Sequence, residues 1–468
     1  MGLKYFRFKV GSKKNDETSS EKDGAAVSAS ASSFPRGNSL SIDPISPPSA
    51  DTFRFTLPPK PRYQYRSYRL RGEYQQPWAG DKRLKRTKFS NWIVYGTVVI
   101  GLAICGYLVY DGMKASHSDS DYCLIMEDHF DSNGVDDAHW THEVQLSGYG
   151  TGSFDWTTTD PKNTFTDDDG LHIVPTLTTE SIDITEEQLF NGYTVNLTKS
   201  GGDGSCTSNN YRDCSIRSNS TLGTIVPPVR SARLSTKGKK FIKYGRVEVV
   251  AKMPRGDWLW PAIWMMPEDS KYGPWPASGE IDIAELRGND WQYPLGRDGV
   301  TSTLHWGPVA KLDAYWKTYG TKFLRRIDFS KGYHTFGLQW SKDYLFTYLD
   351  SRLKQVFYMK FDPKMTMWEQ GTFAGATANN SLVENPWDKT GNTNTPFDEN
   401  FFLILNVAVG ASNGWFFEGK GDKPWVDDSP SAQVDFIKAK DQWLPTWGEG
   451  NDRGMTVKSV KMWQEGGC

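Results

Sequence analysis

Glu280-Ile281-Asp282-Ile283-Ala284-Glu285 places three carboxylates in six residues of an otherwise apolar strand. Burying an unpaired carboxylate is costly, so charges enter a sheet core only where something there uses them. In a regular strand the side chains alternate, which puts Glu280 and Asp282 on one face and turns Glu285 away. All three acids meet on one face only if the strand carries one extra residue, a β-bulge, between Asp282 and Glu285. The competing picture is a solvated strand with Ile281 and Ile283 facing inward. It accounts for Glu280 and Asp282 but poorly for Glu285.

The surroundings of this stretch also read as sheet. After residue 120 helical periodicity is scarce, and alternating segments are separated by Gly, Pro and Asn turns. Tyr244–Lys252 alternates around Val247 and Val249, and His334–Trp340 around Phe336, Leu338 and Trp340. Ser341-Lys342-Asp343 then turns into the strand Tyr344–Asp350. Phe401–Val409 is a continuous apolar run, expected to be buried on both faces, and Val457–Trp463 reads as a closing strand. So long a run of this pattern predicts an all-β fold, one sandwich of two large antiparallel sheets. The lack of an internal repeat argues against a propeller.

The chain has 468 residues and a net charge of −2, which hides an asymmetry. Residues 1–90 hold 18 Lys and Arg against 8 Asp and Glu, and the remainder holds 36 against 48. The acidic part has no basic stripe, so nucleic acid is excluded as its partner. Residues 1–90 are rich in Ser, Pro and charge and predict a disordered basic tail whose partner the sequence does not identify. Trp92–Tyr110 then runs for 19 residues without a charge, enough to cross about 30 Å of hydrocarbon as a helix, so residues 91–110 predict a membrane span. A secretory signal peptide fits less well, because 91 residues precede the apolar run. Lys82, Arg83, Lys85, Arg86 and Lys88 lie before the span, whereas Asp111, Lys114, Asp119 and Asp121 follow it. The positive-inside rule then keeps the tail in the cytoplasm and places a linker (111–121) and a domain (122–468) in the lumen or outside.

Cysteines and sequons agree with that placement. Beyond the span lie Cys123, Cys206, Cys214 and Cys468, an even number suited to an oxidising compartment. Three pairings are open. The favoured one joins Cys206 to Cys214 across a short polar loop and Cys123 to Cys468 across the ends of the domain. Asn196, Asn219 and Asn379 head N-x-Ser/Thr sequons and are candidate glycosylation sites.

Two glutamates flanking a bond are the minimal machinery for cleaving a glycosidic linkage. On a bulged strand, side chains leaning together can bring Glu280 and Glu285 to the ~5–5.5 Å separation of a retaining enzyme. The three acids would titrate as a coupled set, with Asp282 sharing a proton with Glu280. Glu285, as the acid, needs a pKa raised by burial and like charge. Aromatic residues make up 14% of the chain, and 17 of the 19 Trp lie after residue 110, a supply of rings for stacking on sugars.

At this point the sequence resembles a family. EIDIAE resembles the E-x-D-x-x-E motif of glycoside hydrolase family 16 in its bulged, laminarinase-like form. GDWLWPAIWMMP (256–267), YGPWPASGEIDIAELRGN (272–289), TSTLHWGP (301–308), YHTFGLQW (333–340) and LNVAVG (405–410) look like that family's landmarks in order. The resemblance covers roughly residues 120–468 and implies a β-jelly-roll with a concave sugar-binding groove. It implies Glu280 as nucleophile, Asp282 as assisting acid and Glu285 as general acid/base. It also implies His305 near the acids, Trp260, Trp264 and Trp275 as sugar-stacking candidates, and Arg287, Asn289, Arg233 and Asn406 as candidate sugar contacts. No cofactor is required. Several members carry a structural calcium, for which no ligand cluster is specific enough here, so no metal ligand is named. The layout of tail, span and family-16-like domain resembles fungal type II membrane proteins of β-1,6-glucan assembly. The expected function is a membrane-anchored retaining β-glucanase or transglycosylase on β-1,3-glucan, with β-1,6 or mixed linkages open, in cell-wall remodelling. The alternative is a non-catalytic β-glucan-binding receptor on the same fold.

Overall fold

The computed structural model describes residues 72–73, 75–115, 122–131 and 134–468. The tail expected over 1–90 and the linker expected over 111–121 lie largely outside them. One helix, Leu84–Ala115, contains Phe89–Met113, 25 residues long enough and apolar enough to cross a membrane. Trp92, Val99, Leu102 and Tyr107 on it are exposed. A helix that is apolar all round must bury itself in something, and lipid satisfies that need.

The second compact unit holds two eight-stranded antiparallel sheets. One runs in the order Ser351–Lys360, Tyr344–Leu349, His334–Trp340, Gly245–Lys252, Met455–Glu465, Gly170–Ile173 and Thr164–Asp167, with Tyr122–Asp128 also paired to Met455–Glu465. The other runs Tyr319–Phe323, Gly299–His305, Glu280–Glu285, Leu259–Pro267, Phe401–Val409, Arg233–Ser235 and Thr141–His142, with Phe241–Ile242 also paired to Phe401–Val409. The strands read from alternation are all present, and the hairpin through Ser341–Asp343 joins two neighbours of the first sheet. The result is the all-β jelly-roll sandwich expected. The helices Ala432–Lys438 and Lys440–Trp443 are additions that the strand pattern did not announce.

The core is the apolar face of each sheet. Ile281, Leu304, Ile263, Leu403 and Leu405 of the second sheet belong to one buried cluster with Val247, Val249, Leu338, Trp340 and Leu345 of the first. Burial of each such side chain contributes about 1.5–3 kcal/mol. Because the side-chain period is two, the opposite face of the second sheet is fixed as the one that carries the acids. Both expected disulfides are present, with Cα–Cα distances of 5.1 Å for Cys123–Cys468 and 5.5 Å for Cys206–Cys214.

Candidate active site

The bulge demanded by the sequence exists. Glu280 pairs with His305 and Asp282 with Thr303, but the next pair is Glu285 with Thr301, so three steps on one strand oppose two on the other. On the other side Trp264 pairs with Asp282, Ile263 with Ala284 and Ala262 with Glu285, which leaves Ile283 as the extra residue. A bulge leaves a ladder carbonyl without its partner. Here the fully buried Ser302 hydroxyl donates to Ile283 O at 2.7 Å. Glu280, Asp282 and Glu285 therefore share one face, with His305, Thr303 and Thr301 beside them.

The same face continues across the sheet. Ala262 pairs with Asn406, and Asn406 with Arg233, so Glu285, Ala262, Asn406 and Arg233 form one row. Strands lie about 4.8 Å apart, so Arg233 stands roughly 14 Å from Glu285 along the row. That row lies across the strands.

Each acid is held differently. Glu280 accepts the Trp275 indole N–H on Oε2 at 2.6 Å. Its pKa is pushed up to about 8 by burial and then by the adjacent Asp282. Asp282 is 2% exposed, and its pKa rises to about 6 through burial and the charge of Glu285. Its Oδ2 lies 3.2 Å from His305 Nε2, and no donor is aligned on that oxygen for a hydrogen bond. Glu285 is 9% exposed and accepts the Trp260 indole N–H on Oε1 at 3.0 Å. Burial raises its pKa to about 7; His305 opposes that rise and Glu280 adds to it. The value for Glu280 above that for Glu285 follows from proximity: two touching carboxyls share a proton that neither holds alone. For His305 burial pushes downward, but its contacts with Asp282 and Asp313 outweigh it and hold the imidazole well above its usual range.

Four side chains that the sequence reading missed complete the site. Asp313 Oδ2 lies 2.6 Å from His305 Nδ1, and its Oδ1 accepts the backbone N–H groups of Trp306 and Tyr315. This acceptor fixes Nδ1 as the protonated nitrogen and turns Nε2 toward Asp282. Tyr315 stacks on the His305 ring at 5.4 Å. Trp415 stacks on Trp260 at 4.8 Å and 16°. Tyr149 covers Arg233, whose guanidinium lies 3.9 Å from that ring and 4.7 Å from Trp264. Spacing in the sequence held no signal for Trp415 or Tyr149, which sit over 100 residues from the acids. Asp313 follows His305 by only eight positions, and a carboxylate so close to a candidate imidazole was the one available cue.

The expected sugar contacts divide. Trp275, 40% exposed, and the half-buried Trp264 and Asn406 lie on the open face, with Trp264 Nε1 donating to Asn406 Oδ1 at 2.7 Å. Trp260 is buried beneath Trp415, so Trp415 is the outer ring of that pair. Arg287 and Asn289 do not fit the part expected of them. Arg287, 4% exposed, donates Nε and one Nη to Trp415 O at 3.0 and 2.7 Å. Asn289, 1% exposed, accepts Trp258 N at 3.2 Å. Both are taken up by protein: Arg287 fixes the segment that carries Trp415, and Asn289 fixes a turn. Arg233 is buried and paired to Glu143 at 2.6 Å, so it supports the floor under Tyr149. Among the sequons, Asn219 and Asn379 are exposed and Asn196 is half-buried.

Comparison with known proteins identifies the family. The model of glycosyl hydrolases family 16 matches residues 175–391. Over 369 residues the chain is 41% identical to a β-1,3-glucan-binding protein of Penaeus monodon, covering 78% of this chain and 96% of that protein. The chain belongs to glycosyl hydrolase family 16. A glucan endo-1,3-beta-glucosidase of Cryptopygus antarcticus is 39% identical over 221 residues, 46% of this chain and 67% of that protein. The laminarinase catalytic domain of Thermotoga maritima is similar in structure, with a TM-score of 0.44 and 21% identity over 74% of this chain and 100% of that one. The relatives of this family-16 chain thus bear the names of both glucanases and glucan-binding proteins.

Proposed function

We propose that this family-16 chain is a retaining enzyme that cleaves or transfers β-1,3-linked glucan. The observation that carries the reading is the bulge at Ile283, which brings Glu280, Asp282 and Glu285 to one face. A binding surface needs aromatic rings and hydroxyl partners; it has no need of three buried carboxylates, each costly to desolvate.

The roles follow from the partners. Glu280 Oε2 is occupied by Trp275, so Oε1 is left to attack the anomeric carbon. At that moment the proton shared with Asp282 rests on Asp282. Glu285 gives its proton to the departing glycosidic oxygen as the bond to the anomeric carbon breaks. In the second half, water or a sugar hydroxyl attacks the glycosyl ester, Glu285 takes its proton, and Glu280 leaves as carboxylate. Trp260 tunes Glu285, and the His305–Asp313 pair holds a positive charge against Asp282. Trp275, Trp264 and Trp415 are the rings for sugar stacking.

The helix Leu84–Ala115 supports a membrane-anchored form of this activity. Five basic residues before its apolar run Trp92–Tyr110 and a net acidic flank after that run favour a cytoplasmic tail and an outer catalytic domain. That layout supports a part in cell-wall glucan assembly, where transfer to an acceptor replaces hydrolysis.

The second reading is a non-catalytic glucan-binding protein, favoured by the 41% identity to a relative of that name. The deciding experiment incubates the purified full chain with laminarin and a labelled acceptor oligosaccharide. Sugar release or label transfer that Glu280→Gln abolishes supports the enzyme. Binding with neither outcome, equal in wild type and Glu280→Gln, leaves the receptor.

A further inference from the structure

We propose that Glu280, Asp282 and His305 form a latent site for a divalent transition-metal ion, Zn²⁺ foremost, and that the ion blocks the enzyme by occupying its nucleophile. One ligand atom from each of the three residues lies within 4.8 Å of the other two. His305 Nε2 and Asp282 Oδ2 are 3.2 Å apart. Two ligands bound at about 2.0–2.1 Å in a tetrahedral shell lie roughly 3.3 Å from each other, so one ion can bridge this pair with little movement.

Three further features distinguish the cluster from a mere group of acids. First, Asp282 Oδ2 is buried and faces His305 Nε2 at 3.2 Å without the alignment of a good hydrogen bond, so one ion could take the place of the proton between them. Second, His305 already has the supporting partner that zinc-binding imidazoles use. Asp313 Oδ2 takes Nδ1, and two backbone N–H groups fix Asp313 in turn, which leaves Nε2 aimed at the site. Third, Glu280 and His305 are paired neighbours on adjacent strands, so the ligands sit on rigid elements. Trp275 donates to Oε2 of Glu280, which steadies that carboxyl beside Asp282.

The donor set selects the ion. One imidazole and two carboxylates with an open fourth position suit Zn²⁺ and its neighbours in the first transition row. Ca²⁺ needs six to eight oxygens and Mg²⁺ near-octahedral oxygen geometry, which three side chains in a sheet do not supply. The ion would replace the proton on Nε2 and the proton shared by Glu280 and Asp282, and both pass to water as the imidazole and the two carboxylates become ligands. No other bond within the protein is broken. The blocking half of the inference rests on the reading of Glu280 as nucleophile; the binding half does not.

The test uses the full chain, purified in detergent without a polyhistidine tag and stripped with EDTA. Titration with Co²⁺ is followed by visible absorption, and titration with Zn²⁺ by calorimetry. One equivalent should bind with the absorption of a low-coordinate N/O site, and Ca²⁺ should not compete. His305→Ala should abolish the Co²⁺ bands. Asp313→Asn, which removes no ligand, should weaken binding about 10–100-fold. Unfolding curves verify that each variant is folded, and Glu280→Gln, which keeps the side-chain volume, replaces any that is not. Absence of binding up to ~1 mM, or binding equal in wild type and variants, overturns the site. Stoichiometric binding by a protein without glucan turnover keeps the site and removes the enzyme reading. Turnover that Zn²⁺ leaves untouched at saturating occupancy removes the block.

Discussion

Trp260→Phe removes one atom that matters. The indole N–H donates to Glu285 Oε1 at 3.0 Å, while the ring stacks on Trp415. Phenylalanine keeps an aromatic ring against Trp415 and deletes the donor. A hydrogen bond to a charged, buried group contributes about 1.5–3 kcal/mol, and one pKa unit corresponds to about 1.4 kcal/mol. The donor favours the carboxylate, so its loss moves the Glu285 pKa upward, away from a starting value of about 7. Some of the loss is recovered by relaxation, and a rise of about one pH unit is the expected result. In its proposed role of general acid Glu285 must be protonated, so the alkaline limb of the kcat/KM profile should move up by that amount. The acid limb, set by the Glu280 and Asp282 pair, should hardly move. The assay is the pH dependence of reducing-sugar release from laminarin, fitted for both limbs. An alkaline limb that stays in place or moves down would refute the assignment of Glu285 as the acid tuned by Trp260.

Other outcomes follow from the same structure. Glu285→Gln should lower kcat by about 10²–10⁴-fold on laminarin, with weaker effects on substrates whose leaving group needs no proton; equal losses on both would count against the acid role. The same variant should also be more stable above pH 7. A carboxyl raised in the fold binds its proton more tightly than in the unfolded chain, so stability falls as pH rises through its folded value of about 7. Removing that term should stabilise by on the order of 2–3 kcal/mol at pH 8, read from denaturant midpoints, and should have no effect at pH 4. Arg287→Met frees the segment of Trp415 and should raise KM more than it lowers kcat; a pure kcat effect would place Arg287 on the chemistry instead. Replacing both Cys123 and Cys468 by Ser opens a closure spanning 345 residues and should cost up to about 5 kcal/mol, seen as a lower unfolding temperature.

The fold was legible because alternation is a local property. Val247 and Val249, or Phe336 and Leu338, carry their own face assignment, and pairing only had to align them. The bulge was legible for the same reason: three acids at spacings of two and three admit one face only with an inserted residue. What escaped was contact between elements far apart in the chain. Arg287 follows Glu285 by two positions and read as a sugar ligand, yet it turns to a carbonyl 128 residues later. Trp260 read as a stacking surface, but a ring from the segment after Phe401–Val409 covers it. Asp313 sits in a loop with no periodicity, and its part is visible only once the strand has aimed His305 at Asp282. Local pattern tells which residues face inward; it does not tell which distant loop will settle on top of them.

The bridge from Cys123 to Cys468 encloses nearly the whole sandwich in a covalent ring. The two residues sit on antiparallel neighbours, Tyr122–Asp128 beside Met455–Glu465 and the residues just past it. A protease that nicks any surface loop inside that ring cuts the chain without parting it. Both fragments remain joined through the sulfurs, and the strands on either side of the cut can re-pair at the effective concentration of a single molecule. Damage that would shed the half of an open chain that carries the three acids leaves this one a single covalent body. Two bands should appear on a gel only after a reductant is added.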